Sequence, residues 1–357
     1  MNGVKMMINV KKEDFQNSYD GKKVFLYTVS NGTMSFSVTN YGATVTKIEF
    51  PSKNGEMENL VLGFDSVEEY IKGNGCYFGV VAGRFANRIG NGCFQIDGKN
   101  YQLDQNDGKN CLHGGFVGIN HRVFDIEPVQ IDENLAGVKL FYLSKDGEQG
   151  MPGNLKITVF YLLSPENKIH IKYVLESDKK TPVSLTNHTY FNLSGDCKEN
   201  IFDTELQIES ENILENDDNL IPTGKLLKVE NTAFDFRKAK KIGADIEKVS
   251  GGYDHNFCLI SETEKYDGKL KKVSVAYEPK SGRKLTTYTT MPGVQLYTSG
   301  SLTPQTGYKG KSYESYDGFC LETQFYPDSP NKPNFPNCVI EANKEYTFET
   351  VYQFENR

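Results

Sequence analysis

The chain alternates short strand-like segments with two-residue turn signals, and this spacing limits its possible folds more than any other feature. Segments such as "VFLYTVS", "ITVFYLL", "KIHIKYVLE" and "YTFETVYQF" alternate in polarity and are rich in aromatic and β-branched residues. The dipeptides between segments suit the positive φ angles of hairpin turns: Asn31-Gly32, Asn54-Gly55, Asp97-Gly98, Asp146-Gly147 and Asp267-Gly268. In "FQIDGKNYQL", Phe94 and Ile96 are predicted to pair across the turn with residues near Tyr101 and Leu103.

Helical patterns are scarce. "DSVEEYIKG" predicts one short helix that begins at Asp65 or Ser66 as N-cap and ends at Gly73. "KAKKIGADIEKV" predicts another turn or two of helix. Because strands do not alternate with long helices, a parallel α/β sheet is disfavoured. Without a repeat, linker or composition break, we predict that residues 1–357 form a single all-β domain, a large antiparallel β-sandwich.

Composition narrows the class of partner. A hydrophobic fraction of 38% over 357 residues is sufficient for a large core, and a net charge of −7 with scattered basic residues argues against nucleic acid. No apolar run approaches the roughly 20 residues that span a bilayer, and the N-terminal segment lacks the apolar region of a signal peptide. Seven cysteines without C-x-x-C spacing indicate reduced thiols rather than disulfides or a zinc knuckle. We therefore expect a cytoplasmic protein with no membrane partner, while its oligomeric state is left open.

The stretch "TNHTYFNLSG" reads, with the residues before it, as one strand that has an unusual polar face. One face carries apolar residues and is predicted to be core: Val183, Leu185, Phe191 and Leu193. The other face gathers hydroxyl, imidazole, phenol and amide groups: Ser184, Thr186, His188, Tyr190 and Asn192. A solvated face would more often carry Lys and Glu. This row is therefore predicted to be the floor of a polar pocket.

Four other segments offer groups capable of chemistry. His113 lies in "CLHGG", where paired glycines allow close approach to a ligand, although a turn that merely contains a histidine is the alternative. In "YDHNF", either Asp254 or His255 could face a pocket. Glu322 lies in "GFCLETQFYPD" on the side opposite Phe319 and Leu321, and a surface glutamate is the competing interpretation.

The fourth segment, "GRFANRIGNG", supplies Arg84, Asn87 and Arg88. Their fixed donors suit sugar or carboxylate oxygens, and hydrogen bonds within the loop are the alternative. His170, by contrast, is predicted to be a solvated strand residue.

Several common site types are missing from the sequence. It contains no phosphate loop, no H-x-x-x-H metal spacing and no G-x-S-x-G nucleophile elbow. We therefore expect a site without metal or cofactor. Histidine, carboxylate, arginine and asparagine side chains together suit proton transfer on a polyhydroxylated small molecule.

Taken together, these segments resemble the aldose 1-epimerase (galactose mutarotase) family. The matching motifs are "GRFANRIGNGCFQIDGKNYQL", "CLHGG", "TPVSLTNHTYFNLSG", "YDHNF", "PGVQLYTSG" and "GFCLETQFYPDSPNKPNFP", in the family's order. The resemblance implies a β-sandwich with an open polar cleft on one sheet. It also implies cofactor-free interconversion of the α and β anomers of aldohexoses such as galactose and glucose.

The resemblance also implies roles for single residues. Glu322 matches the general base, His188 the general acid, and His113 a second imidazole near the ring oxygen and the anomeric centre. The remaining matches are residues that hold or contact the sugar: Asn87, Arg88, Asp254 and Gln295. Because the chain has no Trp, any stacking on the sugar would fall to residues such as Tyr190 or Tyr297.

Three other interpretations stay open at this level. A non-catalytic sugar-binding sandwich would not need an acid and a base in matching positions. A retaining glycosidase would need two carboxylates about 5–5.5 Å apart, and Asp254 with Glu322 would be the pair. A phosphosugar epimerase should carry a stronger cationic cluster than "GRFANRI".

Overall fold

The computed structural model describes residues 8–260 and 266–357, and antiparallel strands dominate it. The first strands are β1 Asn9–Tyr19, β2 Lys22–Ser30, β3 Ser35–Thr39, β4 Thr44–Pro51, β5 Met57–Asn59, β6 Val81–Ala82, β7 Arg88–Ile89, β8 Cys93–Ile96, β9 Lys99–Gln102, β10 Cys111–Leu112, β11 Asp125–Asp132, β12 Leu135–Ser144, β13 Leu155–Leu163 and β14 Lys168–Ser177. The others are β15 Thr181–Pro182, β16 Thr186–Asn187, β17 Glu205–Ile208, β18 Asn212–Asn216, β19 Pro222–Lys228, β20 Lys240–Lys241, β21 Asp254–Cys258, β22 Lys271–Tyr277, β23 Arg283–Thr289, β24 Gly293–Tyr297, β25 Gln305–Thr306, β26 Ser312–Tyr313, β27 Cys320–Gln324, β28 Val339–Ile340 and β29 Glu345–Asn356.

The single α-helix in the described ranges is α1, Val67–Lys72. Ser66 is its N-cap and accepts a hydrogen bond from the Glu69 N–H at 3.3 Å, while Gly73 ends it. This confirms the predicted helix and selects Ser66 over Asp65 as the cap. The segment "KAKKIGADIEKV" contains two single 3-10 turns, Ile242–Ala244 and Ile246–Lys248, as predicted.

The predicted hairpin around Asp97-Gly98 forms from β8 and β9. Phe94 pairs with Tyr101, and their rings stack at 5.4 Å. Ile96 pairs with Lys99 rather than with a residue near Leu103, because the two-residue turn brings positions 96 and 99 directly opposite each other.

Three large antiparallel sheets build a sandwich, which confirms the predicted all-β fold. One sheet has nine strands in the order β11-β12-β13-β14-β29-β23-β22-β17-β20. Two five-stranded sheets have the orders β1-β2-β3-β4-β5 and β19-β18-β21-β24-β27. Core side chains link the layers: Tyr161 of β13 donates a hydrogen bond to the Ala43 carbonyl at 2.7 Å, and Tyr352 of β29 donates to the Leu321 carbonyl at 3.1 Å. The sheet that ends in β24 and β27 presents the candidate site. That the chain forms one domain stays a prediction.

The segment from Val183 to Leu193 differs from the single strand predicted for it. It contains only β16 and isolated bridges, and both of its faces are buried. Neighbouring segments cover the polar face: the Ser184 hydroxyl accepts a hydrogen bond from the Phe325 N–H, and the Asn192 amide donates to the carbonyls of Glu199 and Asp317. Of the predicted polar row, only His188 and Tyr190 line the cleft.

Two further expectations concern cysteines and membranes. No disulfide joins any of the seven cysteines, all of which lie in described residues. Within residues 8–260 and 266–357, no helix is long and apolar enough to cross a bilayer.

Candidate functional site

The candidate site is a cleft of about 160 Å³ at the β24–β27 end of its sheet. Most of the residues predicted for a site meet there, although they are far apart in sequence. The cleft is lined by Gly75, Tyr77, Asn87, Arg88, Leu112, His113, His188, Tyr190, Asp254, Tyr297, Ser301 and Glu322.

His188 and Glu322 form the buried centre of this cleft. The His188 Nε2 lies 3.5 Å from the Glu322 Oε1, and the two side chains are only 5% and 3% exposed. Hydrogen bonds from the His188 N–H to the Val80 carbonyl and from the Gly79 N–H to the His188 carbonyl hold the histidine backbone. Glu322 lies on β27, with Leu321 turned to the core as predicted. Backbone hydrogen bonds therefore fix the position of His188, and the pairing of β27 with β24 fixes that of Glu322.

Burial drives both members of the pair towards their neutral forms. It lowers the pKa of His188 from 6.5 to about 4. Burial, together with the nearby charge of Asp254, raises the pKa of Glu322 well above 4.5. A carboxylate with a raised pKa is a stronger base, and an imidazolium with a lowered pKa is a stronger acid. The environment thus favours movement of one proton through the pair.

His113 is fixed beside this pair. Its ring centroid lies 5.2 Å from that of His188, and its Nδ1 accepts a hydrogen bond from the Asn87 N–H at 3.2 Å. A ring nitrogen that accepts cannot carry the proton, so neutral His113 carries its proton on Nε2. Burial, followed by the charges of His188 and Arg88, lowers the pKa of His113 well below 6.5. His113 is therefore a neutral donor rather than an acid.

Hydrogen bonds also orient the predicted sugar-holding residues. The Arg88 Nε donates to the Asp107 carboxylate at 2.7 Å. The Gln295 Nε2 donates to the Asp254 Oδ1 at 2.7 Å. Gln295 lies between the Asp254 and Glu322 strands and is not among the lining residues. Its direct contact with the sugar stays a prediction, and its observed partner is Asp254.

Three residues considered from the sequence lie elsewhere. Arg84 donates to the Ser144 hydroxyl and to backbone carbonyls, so its role is to stabilise loops. The His170 Nδ1 lies 2.9 Å from Glu349 on the outer face of the large sheet, where it is partly exposed rather than fully solvated. His255 contacts the Phe234 ring at 4.5 Å, while its neighbour Asp254 faces the cleft.

Tyr77 is the main lining residue that the sequence analysis missed. Its ring lies 4.6 Å from His113 and 5.8 Å from His188, and its φ of 57° is unusual for a tyrosine. It precedes the "GRFANRI" motif in an irregular loop. No alternation of polarity marks it, so only its position near that motif could have suggested it.

The geometry argues against a metal ion at this centre. Within the described ranges, His113, His188 and Glu322 are the one group of three whose ligand atoms all come within 4.8 Å of one another. A metal-binding histidine normally donates a proton from the ring nitrogen that is not bound to the metal. The Nδ1 of His113 instead accepts one, which leaves the proton on the nitrogen that would have to bind the ion. These three groups fit proton transfer better than coordination.

Comparisons with known proteins agree with this description. The sequence profile of the aldose 1-epimerase family matches residues 26–353. The galactose mutarotase of Bos taurus is 39% identical over 330 residues, which cover 92% of this chain and 93% of the relative. The aldose 1-epimerase of Escherichia coli strain K12 is 36% identical over 345 residues, with 94% and 96% covered. The crystal structure of galactose 1-epimerase from Lactobacillus acidophilus NCFM has a TM-score of 0.84 at 29% identity and covers 98% of this chain and 99% of that one.

Proposed function

Because the chain belongs to the aldose 1-epimerase family, we propose that it interconverts the α and β anomers of aldohexoses such as galactose and glucose. The observation that carries this proposal is the buried contact of 3.5 Å between the His188 Nε2 and the Glu322 Oε1 in a small polar cleft. Opening a hemiacetal needs a base at one oxygen and an acid at another, and this contact supplies both.

The reaction then proceeds by two proton transfers. In the form of the pair that carries its one shared proton on His188, Glu322 takes the proton of the anomeric hydroxyl while His188 gives its Nε2 proton to the ring oxygen, and the bond between C1 and the ring oxygen breaks. The free aldehyde turns about its C1–C2 bond. The ring recloses on the other face as both protons return. Each positioned acid or base contributes about 10²–10⁴-fold in rate. Neither a metal nor a covalent intermediate is needed in this scheme.

His113 is assigned to the sugar oxygens near the anomeric centre. Its Nε2–H is directed by the hydrogen bond that the Asn87 N–H makes to Nδ1. Arg88, Asn87 and Asp254 are assigned to the other hydroxyls, and Gln295 supports Asp254.

The electrostatics of the cleft favour a sugar without phosphate. Arg88 is the one cationic side chain that lines the cleft in the part of the chain that the structure describes, and Asp107 neutralises it. Asp254 adds negative charge beside the buried pair, which would repel a phosphate group. The volume of about 160 Å³ is smaller than the roughly 300–1,000 Å³ of pockets for drug-sized ligands, which favours a ligand as small as a monosaccharide.

We also propose a cytoplasmic location and a single domain. Seven cysteines without a disulfide are typical of a reducing compartment. These two statements are independent of the chemistry.

Polarimetry on freshly dissolved α-D-galactose and α-D-glucose tests the function. A concentration-dependent acceleration of the change in optical rotation is expected for both sugars. Binding of sugar without acceleration would favour a non-catalytic binding protein. Release of a chromogenic aglycone would instead favour a glycosidase that uses Asp254 and Glu322.

A further inference from the structure

The residue two positions before Glu322 also reaches the ring of His188. Cys320 is fully buried, and its Sγ lies 3.5 Å from the His188 Nδ1. Glu322 lies at the same distance from the other ring nitrogen, Nε2. Side chains alternate along a strand, so positions 320 and 322 of β27 share one face. One strand therefore contacts both nitrogens of the imidazole.

We infer that Cys320 is a positioning residue for His188, and that its sulfur accepts a hydrogen bond from the Nδ1–H throughout the reaction. This inference rests on the proposed function, in which His188 is the general acid. An imidazolium carries a proton on each nitrogen. The proton on Nε2 moves to the sugar, so the proton on Nδ1 stays. The atom facing Nδ1 must then act as an acceptor in both states.

The sulfur is a suitable acceptor because it is neutral. Burial, with the charges of Glu322 and Asp254, raises the pKa of Cys320 well above 9, so the side chain remains a thiol. In serine hydrolases a carboxylate at the equivalent ring nitrogen stabilises the imidazolium. A thiol is only a weak acceptor. It orients the ring without making the imidazolium too stable to release its proton.

Substitutions at position 320 test this role by polarimetry over a range of pH. Cys320→Ala removes the acceptor and should lower kcat about 3- to 10-fold, the value of one ordinary hydrogen bond, with little change in KM. Its pH profile should move to lower pH, because the imidazolium loses a stabilising contact. Cys320→Ser restores an acceptor and should recover most of kcat and the profile. Cys320→Val fills the space without an acceptor, and its kcat and pH profile should match those of the alanine variant. It therefore tests the same role if Cys320→Ala is too unstable to measure.

Cys338→Ala is the matched control. Cys338 is about as buried as Cys320 and, like Cys320, is not one of the residues that line the cleft, but it lies outside β27, the strand that contacts both ring nitrogens of His188. This variant should lose thermal stability while keeping the wild-type kcat and pH profile. If Cys320→Ala and Cys320→Val both behaved like this control, with the wild-type kcat and pH profile, the inference would be overturned and Cys320 would be a packing residue. If His188→Asn is itself active, the acid assignment fails; if that variant is inactive while the Cys320 variants are normal, only the inference fails.

Discussion

Replacing Glu322 by glutamine should abolish most of the activity and at the same time stabilise the protein. The substitution keeps the shape of the side chain but removes its basic form. A general base contributes about 10²–10⁴-fold, so kcat should fall at least about 10²-fold, which corresponds to roughly 2.7 kcal/mol of activation free energy. KM should change less, because the lost interaction acts mainly in the transition state.

The effect on stability follows from the burial of this carboxyl group. Burial and Asp254 raise the pKa of Glu322 well above 4.5, and its Oε2 has no hydrogen-bond partner. The folded state therefore binds a proton more tightly than the unfolded state does, and ionisation above pH 4.5 destabilises the fold. Each tenfold difference in proton affinity is worth about 1.4 kcal/mol. Glu322→Gln should unfold at a higher temperature than wild type at pH 7, by about 2 °C per kcal/mol. The difference should shrink at pH 4.5 and below.

Glu49→Gln provides the control of opposite sign. Although burial alone would raise the pKa of Glu49, hydrogen bonds from Lys47 and Ser35 hold it below its ordinary value. This variant should lose thermal stability at pH 7 and keep normal kcat. Polarimetry and thermal unfolding at pH 7 and pH 4.5 measure both effects. A near-normal kcat in Glu322→Gln would remove the residue from its role as base, and a lower unfolding temperature at pH 7 would refute the argument from burial.

Three further predictions concern the same centre. Measured by polarimetry, His188→Asn should lower kcat at least about 10²-fold, and the loss in the double variant with Glu322→Gln should fall well short of the product of the two single losses. The control His170→Asn should leave kcat unchanged, and a normal rate in His188→Asn would exclude His188 as the acid. The profile of kcat/KM against pH should be bell-shaped, since the active pair of Glu322 and His188 holds one proton. Burial lowers the pKa of His188 to about 4, so the pair takes up a second proton only at low pH and the acid limb should lie below pH 6.5; an acid limb at or above pH 6.5 would contradict this. Dialysis against EDTA should leave activity unchanged, because the tautomer of His113 does not suit a metal; loss of activity that a divalent ion restores would show that the description of the site is wrong.

Local pattern was sufficient to predict the sheets and the main groups of the site. The alternation in "KIHIKYVLE" gives the buried row Ile169, Ile171, Tyr173 and Leu175 of β14, as expected for a strand with one core face. The Asp97-Gly98 hairpin and the short helix also follow from rules that act within a few residues, whereas Asp267-Gly268 forms no turn between strands that pair in the described ranges. Glu322, His188 and His113, which meet in one cleft, could be chosen together because each lies in a segment that resembles a motif of the family.

Contacts between distant segments could not be predicted in this way. The segment around His188 was interpreted as a strand with one core face and one open face, but other segments cover both faces. Alternation cannot distinguish a cleft from a buried layer, since both exclude a charged solvated surface. The orientation of Gln295 towards Asp254 depends on pairing across strands, and the contact of Cys320 with His188 spans 132 residues.

That separation ties activity to the last stages of folding. The His188 Nδ1 meets a residue 132 positions later in the chain, while the neighbouring Asn187 side chain donates to the carbonyl of Gly79, 108 positions earlier. Contacts between distant segments form slowly, because closing a long loop costs entropy before any contact offsets it. A refolding intermediate with local hairpins such as β8–β9 would contain much secondary structure and no assembled acid–base pair. Recovery of the mutarotation rate therefore reports the completion of the tertiary structure, and spectroscopic strand content does not.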